Sequence, residues 1–306
     1  MNQPDETTAA TLFHPAAFAG KVIGITGGAN GLGLAGVRLL SGLGAHVFTV
    51  DNDREACRKV GAMLESAPAE GFAVEADLAV RGVVSDAIGK AVARWGRLDG
   101  WVNNAAINQP QPFGSESDEL FDLMFAVNVR AAREGAVAAK PWLARTRGSM
   151  VNVSSIMALQ PSGQSTPYSM TKGALEAMTR SLAIEYAADR VRVNAIRVGH
   201  IETGRGVRQL GPDAEAERRL WETYCQILAE NAAPWPVAGA PEDFARAVAF
   251  LLSEAASYLT GSILALDGGY SVSLRPPHDE RRVAAYLKMK EVKSQIENSR
   301  SHDAIT

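Results

Sequence analysis

Tyr168 and Lys172 stand four residues apart in the run Pro167-Tyr-Ser-Met-Thr-Lys172. Pro167 suits the opening of a helix, and an i,i+4 spacing puts both side chains on one helix face. A group that exchanges a proton with a carbonyl or carbinol oxygen works best with a pKa near the working pH. Free tyrosine titrates near ~10, too high for that task. An ammonium roughly 4 Å away is worth on the order of 4 kcal/mol at an effective dielectric of about 20, which draws the phenol's pKa down towards neutrality. Alone, the pair is a weak signal, since tyrosine and lysine on one face usually mean a packed ring and a solvated amine.

A second group of residues is suited to a pyrophosphate. A short apolar run leads into Thr26-Gly27-Gly28-Ala29-Asn30-Gly31-Leu32-Gly33, and an apolar helical stretch follows. Glycines let the backbone turn sharply and come close to a phosphate, while the helix N-terminus offers free N–H groups and the positive end of its dipole. A literal Gly-x-Gly-x-x-Gly at Gly31, Gly33 and Gly36 begins beyond the strand and lies mostly inside the helix, so its register is coincidental. Asp51 follows the second apolar run, where a carboxylate can accept both ribose hydroxyls of an adenosine and repel a 2′-phosphate. The glycine turn carries no basic residue, and Arg54 is the one nearby cation that could blur the preference. The expected cofactor is NAD, with NADP the lesser alternative.

These residues need a scaffold, and the pattern around them supplies one. Apolar runs rich in β-branched residues at 21–26, 45–50, 72–76, 98–103, 148–153, 191–197 and 262–267 read as strands covered on both faces. Helical periodicity fills the stretches between them. In Tyr168–Ala187, for example, Ala174, Leu175, Met178, Leu182 and Ile184 are expected close to one face. Strand–helix alternation predicts an α/β fold, a doubly wound parallel sheet in a single Rossmann-type domain over residues 21–270, with the ligand crevice at the strands' carboxyl ends. Residues 1–20 read as a loose N-terminal extension. Residues 271–306 read as a C-terminal extension, partly helical over Asp279–Asn298.

Specificity comes from the joint pattern, which resembles the short-chain dehydrogenase/reductase family over roughly residues 20–270. The matching elements are Thr26-Gly-x-x-x-Gly-x-Gly33, Asp51, Asp77-Leu78, Asn103-Asn104-Ala105 and Asn128. They continue with Val153-Ser-Ser155, Tyr168 with Lys172, Asn194-Ala-Ile-Arg-Val-Gly199 with Thr203, and Leu266-Asp-Gly-Gly269. The resemblance implies about seven strands, assembly as a homotetramer or homodimer, and hydride transfer between NAD(H) and a secondary alcohol or ketone. It makes Tyr168 the general acid/base and Lys172 the group that lowers its pKa and binds the nicotinamide ribose. Ser155 would bind the substrate oxygen, and Asn128 would order a water leading to Lys172. Thr26, Gly27, Asn30, Gly31, Leu32 and Gly33 would form the pyrophosphate site. Asp77 and Leu78 would meet the adenine, Asn104 and Ala105 would line the cleft, and Ile201 and Thr203 would contact the carboxamide. Two positions depart from the family's habit: Ala106 stands where glycine is common, and Val198 where proline is common. A cofactor-sensing protein of the same fold without turnover is the alternative reading.

Composition narrows the partners. The 306 residues carry a net charge of −3, which gives no footprint for nucleic acid. Cys57 and Cys225 have no metal or disulfide-framework spacing, the five histidines form no metal-binding pair, and a cytoplasmic protein is expected. No apolar run is long enough to span a bilayer, and no positively charged n-region precedes Leu12 and Phe13, so a secretory leader is not expected. Substrate choice is expected to lie in Ile107–Gly114, Ile156–Pro161 and the insert His200–Pro241, whose Trp221, Tyr224, Ile227, Leu228 and Trp235 could cover an apolar substrate. Glu202, Arg205 and Arg208 stand at its expected mouth.

Overall fold

Apolar runs with helices between them assemble here into a single sheet. The computed structural model describes residues 13–161, 163–201, 203, 234–235, 237 and 239–273. In chain order the elements are β1 (Val22–Thr26), α1 (Gly31–Gly42), β2 (His46–Asp51), α2 (Arg54–Glu65), β3 (Phe72–Glu75), α3 (Val83–Trp95), β4 (Gly100–Asn103) and α4 (Asp118–Phe125). A π-helical turn (Ala126–Arg130) then leads into α5 (Ala131–Thr146), β5 (Ser149–Ser155), α6 (Thr166–Glu185), β6 (Arg192–Val198), α7 (Pro241–Leu252) and β7 (Ile263–Leu266). The seven strands lie in the order β3-β2-β1-β4-β5-β6-β7. The neighbours from β3 to β6 pair in parallel, with Val22 opposite His46 between β1 and β2 and Ser155 opposite Val198 between β5 and β6. The expected doubly wound α/β fold is therefore the observed one, and all seven expected strands form.

Strand ends differ from expectation where the chemistry sits. Asp51 is the last residue of β2, not the first beyond it, because it pairs with Glu75 on β3. Similarly β5 runs two residues past Val153, since Ser154 and Ser155 pair with Arg197 and Val198 on β6. Strand pairing thus fixes both side chains. Val198, in place of the family's proline, is simply the final buried residue of β6.

The central strands β1 and β4 are buried along their whole length, as their continuous apolarity demands. Around them pack Val37 and Leu40 of α1, Ile88 and Ala91 of α3, and Ala136 and Leu143 of α5. At the β3 edge, His46, Trp95, Phe72, Phe48 and Trp101 stack in sequence, with centroids 5.2 to 6.0 Å apart.

Two expectations need correction. The apolar face expected on α6 is only partly the buried one: Leu175 is 1% exposed but Ile184 is 80% exposed, and the inward stripe also takes in Thr171, Lys172, Glu176, Thr179 and Ala183. Its polar members are retained because β5, β6 and the π-helical turn answer them with hydrogen bonds. Residues 13–20 are not a loose lead-in either. They form turns in which Phe18 is 1% exposed, with its N–H donating to Leu43 O. Burial of that ring ties the segment down.

Two compact units divide the chain, one built from residues up to Val198 and from Glu242–Leu264, the other from Gly199–Pro241 and Ala265 onward. In the second, Ile201 bridges Gly239 and Trp235 N donates to Gly268 O. Trp221, Tyr224, Cys225, Ile227, Leu228, Glu202, Arg205, Arg208 and the stretch Asp279–Asn298 lie outside the described residues.

Candidate active site

The turn between β1 and α1 is shaped by close backbone approach. Gly27 sits at φ +66, a left-handed conformation that glycine adopts without penalty. A Cβ on Gly33 would lie 2.1 Å from Gly27 O and 2.6 Å from Asn104 Nδ2, so no larger residue fits there. Thr26 Oγ1, buried, accepts from the N–H groups of Asn104 (3.0 Å) and Ala105 (3.1 Å). Asn104 Nδ2 returns two bonds, to Thr26 O (2.9 Å) and Gly27 O (3.0 Å). The segments after β1 and β4 are thereby stitched into one wall.

Asn30 precedes α1 but does not cap it; its Nδ2 turns away to Asp53 Oδ2 at 3.1 Å. The first-turn N–H groups of Gly31, Leu32 and Gly33 are therefore not capped by a side chain, and they project from the helix's N-terminal end as an anion site requires. Asp51 accepts from Ala29 N (3.1 Å, Oδ2) and Asp53 N (3.2 Å, Oδ1), which aims its carboxylate beside this turn and leaves further lone pairs. Asp53 caps α2 by accepting from Ala56 N. Exposed Asp77 turns the chain by accepting from Ala79 N at 2.8 Å, and the next residue, Leu78, is buried in the core. A glycine cradle, an uncapped helix start and a carboxylate at the end of β2 together fit a dinucleotide.

The acid/base candidates gather on β5 and α6. Tyr168 and Lys172 lie one turn apart near the start of α6, and Lys172 Nζ stands 5.5 Å from the centroid of the Tyr168 ring. Lys172 is 2% exposed, and its ammonium donates to Val153 O at 2.7 Å. A buried ammonium needs such partners, and here the carbonyl holds it beside the phenol. Ser155 ends β5 and caps a short 3₁₀ turn over Ile156–Ala158, its Oγ accepting from Met157 N at 3.2 Å. That bond orients the hydroxyl and leaves its proton to donate.

Asn128, in the π-helical turn and 1% exposed, has both amide protons engaged, one on Ile107 O (2.9 Å) and one on Thr171 Oγ1 (3.1 Å). Its Oδ1 accepts from Ile107 N at 2.8 Å. Water held by Asn128 can therefore only donate to it, through the remaining lone pairs of Oδ1 or through the main-chain carbonyl. Ile201 and Thr203 belong to the second compact unit, where both are half-buried.

Several participants escaped the sequence reading. A buried chain of donors runs from Trp101 Nε1 to Asn103 Oδ1, from Asn103 Nδ2 to Asn152 Oδ1, and from Asn152 Nδ2 to Thr179 Oγ1. Ser154 Oγ reaches Glu176 Oε1 at 2.9 Å, and Arg197 grips both Glu176 oxygens at 2.8 and 2.7 Å. These groups lock β4, β5, β6 and α6 together directly beneath Ser155 and Lys172. Asn152 immediately before Val153-Ser-Ser155 was the one available sequence signal. Among the described residues, no cluster of His, Cys, Asp and Glu could hold a metal ion.

A parallel sheet that opens on a phosphate cradle and carries a tyrosine–lysine pair on a later helix defines a class: nicotinamide-dependent oxidoreductases of the Rossmann type. A family model described as enoyl-(acyl carrier protein) reductase matches residues 27–271. The chain is 36% identical over 258 residues to 2-(S)-hydroxypropyl-CoM dehydrogenase 3 of Xanthobacter autotrophicus, covering 81% of this chain and 96% of that protein. It is 35% identical to 2,5-dichloro-2,5-cyclohexadiene-1,4-diol dehydrogenase of Sphingobium indicum, covering 84% of this chain and 98% of that one. Among solved structures, L-sorbose reductase from Gluconobacter frateurii complexed with NADPH and L-sorbose matches with a TM-score of 0.77 at 28% identity, over 85% of this chain and all (100%) of that one. Levodione reductase matches with a TM-score of 0.75 at 31% identity, over 84% and 99%. The chain belongs to the short-chain dehydrogenase/reductase family, and it transfers hydride between a nicotinamide cofactor and a secondary alcohol or ketone.

Proposed function

We propose that the chain is an NAD-preferring dehydrogenase of secondary alcohols in which Tyr168 is the general acid/base. The observation that carries this is the buried Lys172 ammonium, held by Val153 O one helical turn from the Tyr168 ring. Bound nicotinamide supplies the hydride acceptor. In oxidation the ionised phenol of Tyr168 takes the carbinol proton, stabilised by the ammonium beside it. Ser155, oriented by Met157 N, donates its proton to the substrate oxygen and fixes it in reach of Tyr168. Lys172 would bind the nicotinamide ribose and hold its charge beside the phenol, and a water donating to Asn128 would connect it to solvent, where the proton is finally released.

Thr26 through Gly33 hold the pyrophosphate, Asp51 the adenosine ribose, Asp77 and Leu78 the adenine, Asn104 and Ala105 the cleft wall, and Ile201 and Thr203 the carboxamide. The cradle geometry supports the first of these assignments. Preference for NAD is supported by Asp51 at the end of β2, while Arg54, the one nearby cation, pairs with Glu75 at 2.9 Å on the surface. Residues 21–270 are read as one catalytic domain, which the family match over 27–271 supports. A homotetramer or homodimer in the cytoplasm completes the reading. No described helix is long and apolar enough to cross a membrane.

The test is Tyr168→Phe. Turnover of a secondary alcohol with NAD should fall at least about a thousandfold, since general acid/base catalysis supplies roughly 10²–10⁴. NADH affinity, measured by fluorescence titration, should stay within about threefold. Turnover within tenfold of wild type would assign the proton transfer to another group.

A further inference from the structure

The loop after β4 carries a buried acceptor to which no described residue donates. Asn108 Oδ1 is shielded from solvent and accepts no hydrogen bond from any described residue. Its segment is held on both sides. Ile107 exchanges its N–H and carbonyl with the Asn128 side chain at 2.8 and 2.9 Å, and Gln111 N donates to Gln164 O at 2.7 Å. Gln164 lies in the run-in to α6, just ahead of Tyr168. The segment therefore stretches from the π-helical turn to the approach of the catalytic helix. It also leaves β4 beside the strand that ends in Ser155, since Asn103 pairs with Asn152.

Buried acceptors are almost always paired, and an exception on a segment tied to the catalytic elements calls for a partner that arrives with the ligand. A carboxamide oxygen can only accept, so that partner is an O–H or N–H. We propose that Asn108 Oδ1 accepts a hydrogen bond from a second hydroxyl of the substrate, so that this enzyme prefers diols and polyols to simple secondary alcohols. The inference rests on the dehydrogenase reading above, and it assigns that site a substrate class. An analogue lacking the second hydroxyl leaves the oxygen unpaired in the complex, which is how such sites discriminate strongly.

The experiment compares cyclohexane-1,2-, 1,3- and 1,4-diols with cyclohexanol in two measurements. One is kcat/KM with NAD; the other is calorimetric affinity for the protein loaded with NADH, where no turnover occurs. The best diol should exceed cyclohexanol at least about tenfold in both. Asn108→Leu should bring that ratio to about one, and Asn108→Asp, which keeps an acceptor, should retain a preference. A wild-type ratio near one overturns the inference, as does a ratio that Asn108→Leu leaves unchanged, the result expected if a water satisfies the oxygen. Should Asn108→Leu not fold, the wild-type ratio decides. Diol-selective binding without turnover would overturn the dehydrogenase reading alone, whereas turnover without diol selectivity would overturn only this one.

Discussion

At the level of single residues, position matters more than type. Asp51 is an ordinary carboxylate, but pairing with Glu75 and bonds from Ala29 N and Asp53 N fix it at the mouth of the glycine turn. Arg54 is engaged by Glu75, yet that pair is 85% and 43% exposed and contributes little, so the proposed NAD preference is tested at Asp51. Asp51→Ala should shift the NAD-to-NADP ratio of kcat/KM by at least about tenfold towards NADP, because a 2′-phosphate is no longer repelled. An unchanged ratio would move the preference elsewhere. Cys57 shows the opposite use of environment. Burial, with Asp51 and Asp53 adding to it, pushes its thiol from 9.0 up to about 11. The fold favours the neutral thiol, so this contribution to stability is complete below pH 9.0 and is lost as pH rises towards about 11. At pH 8, in a Cys225→Ser background, iodoacetamide should label Cys57 at least about a hundredfold more slowly than a free thiol, the ratio that thiolate fraction alone sets. Labelling at the free-thiol rate would contradict that environment.

At the level of elements, α6 carries the argument. Its inward stripe is largely polar, and each polar group is answered: Thr171 by Asn128, Thr179 by Asn152, Glu176 by Ser154 and Arg197, Lys172 by Val153 O. Glu176 and Arg197 are 8% and 15% exposed at their side chains, a nearly buried ion pair. Removing one partner strands the other, so Glu176→Gln should lower unfolding stability by about 3 kcal/mol in urea titrations. A loss below about 1 kcal/mol would mean that solvent reaches the pair. The same stripe marks where the sequence was hard to read. Helical periodicity located α6 and the tyrosine–lysine face, but Thr179 and Glu176 carry the composition of a solvated surface. Nothing local announces that β5 supplies partners a long way back in the chain. Ile184 misled for the complementary reason, as an aliphatic residue that the packing leaves outside. Strands were legible because burial on both faces imposes continuous apolarity, and the glycine turn because backbone contact excludes a Cβ at Gly33. Asn128 was legible as a residue but not as a clamp, since a π-helical turn has no signature in composition.

At the level of the whole molecule, the doubly wound sheet brings the ends of β1, β2, β4 and β5 to one edge, and with them Thr26, Asp51, Asn104 and Ser155. Hydride transfer needs that gathering, because no single segment holds both a dinucleotide and an acidified phenol. A cofactor sensor of the same fold would need the cradle but not the buried ammonium beside Tyr168. The most direct measurement is therefore formation of reduced cofactor, followed by absorbance, over a panel of secondary alcohols with NAD and NADP in parallel. The account predicts NADH formation with at least one alcohol, at a kcat/KM at least about tenfold above that with NADP. Tight NADH binding with no cofactor reduction by any alcohol, and no cofactor oxidation by the matching ketones, would contradict it.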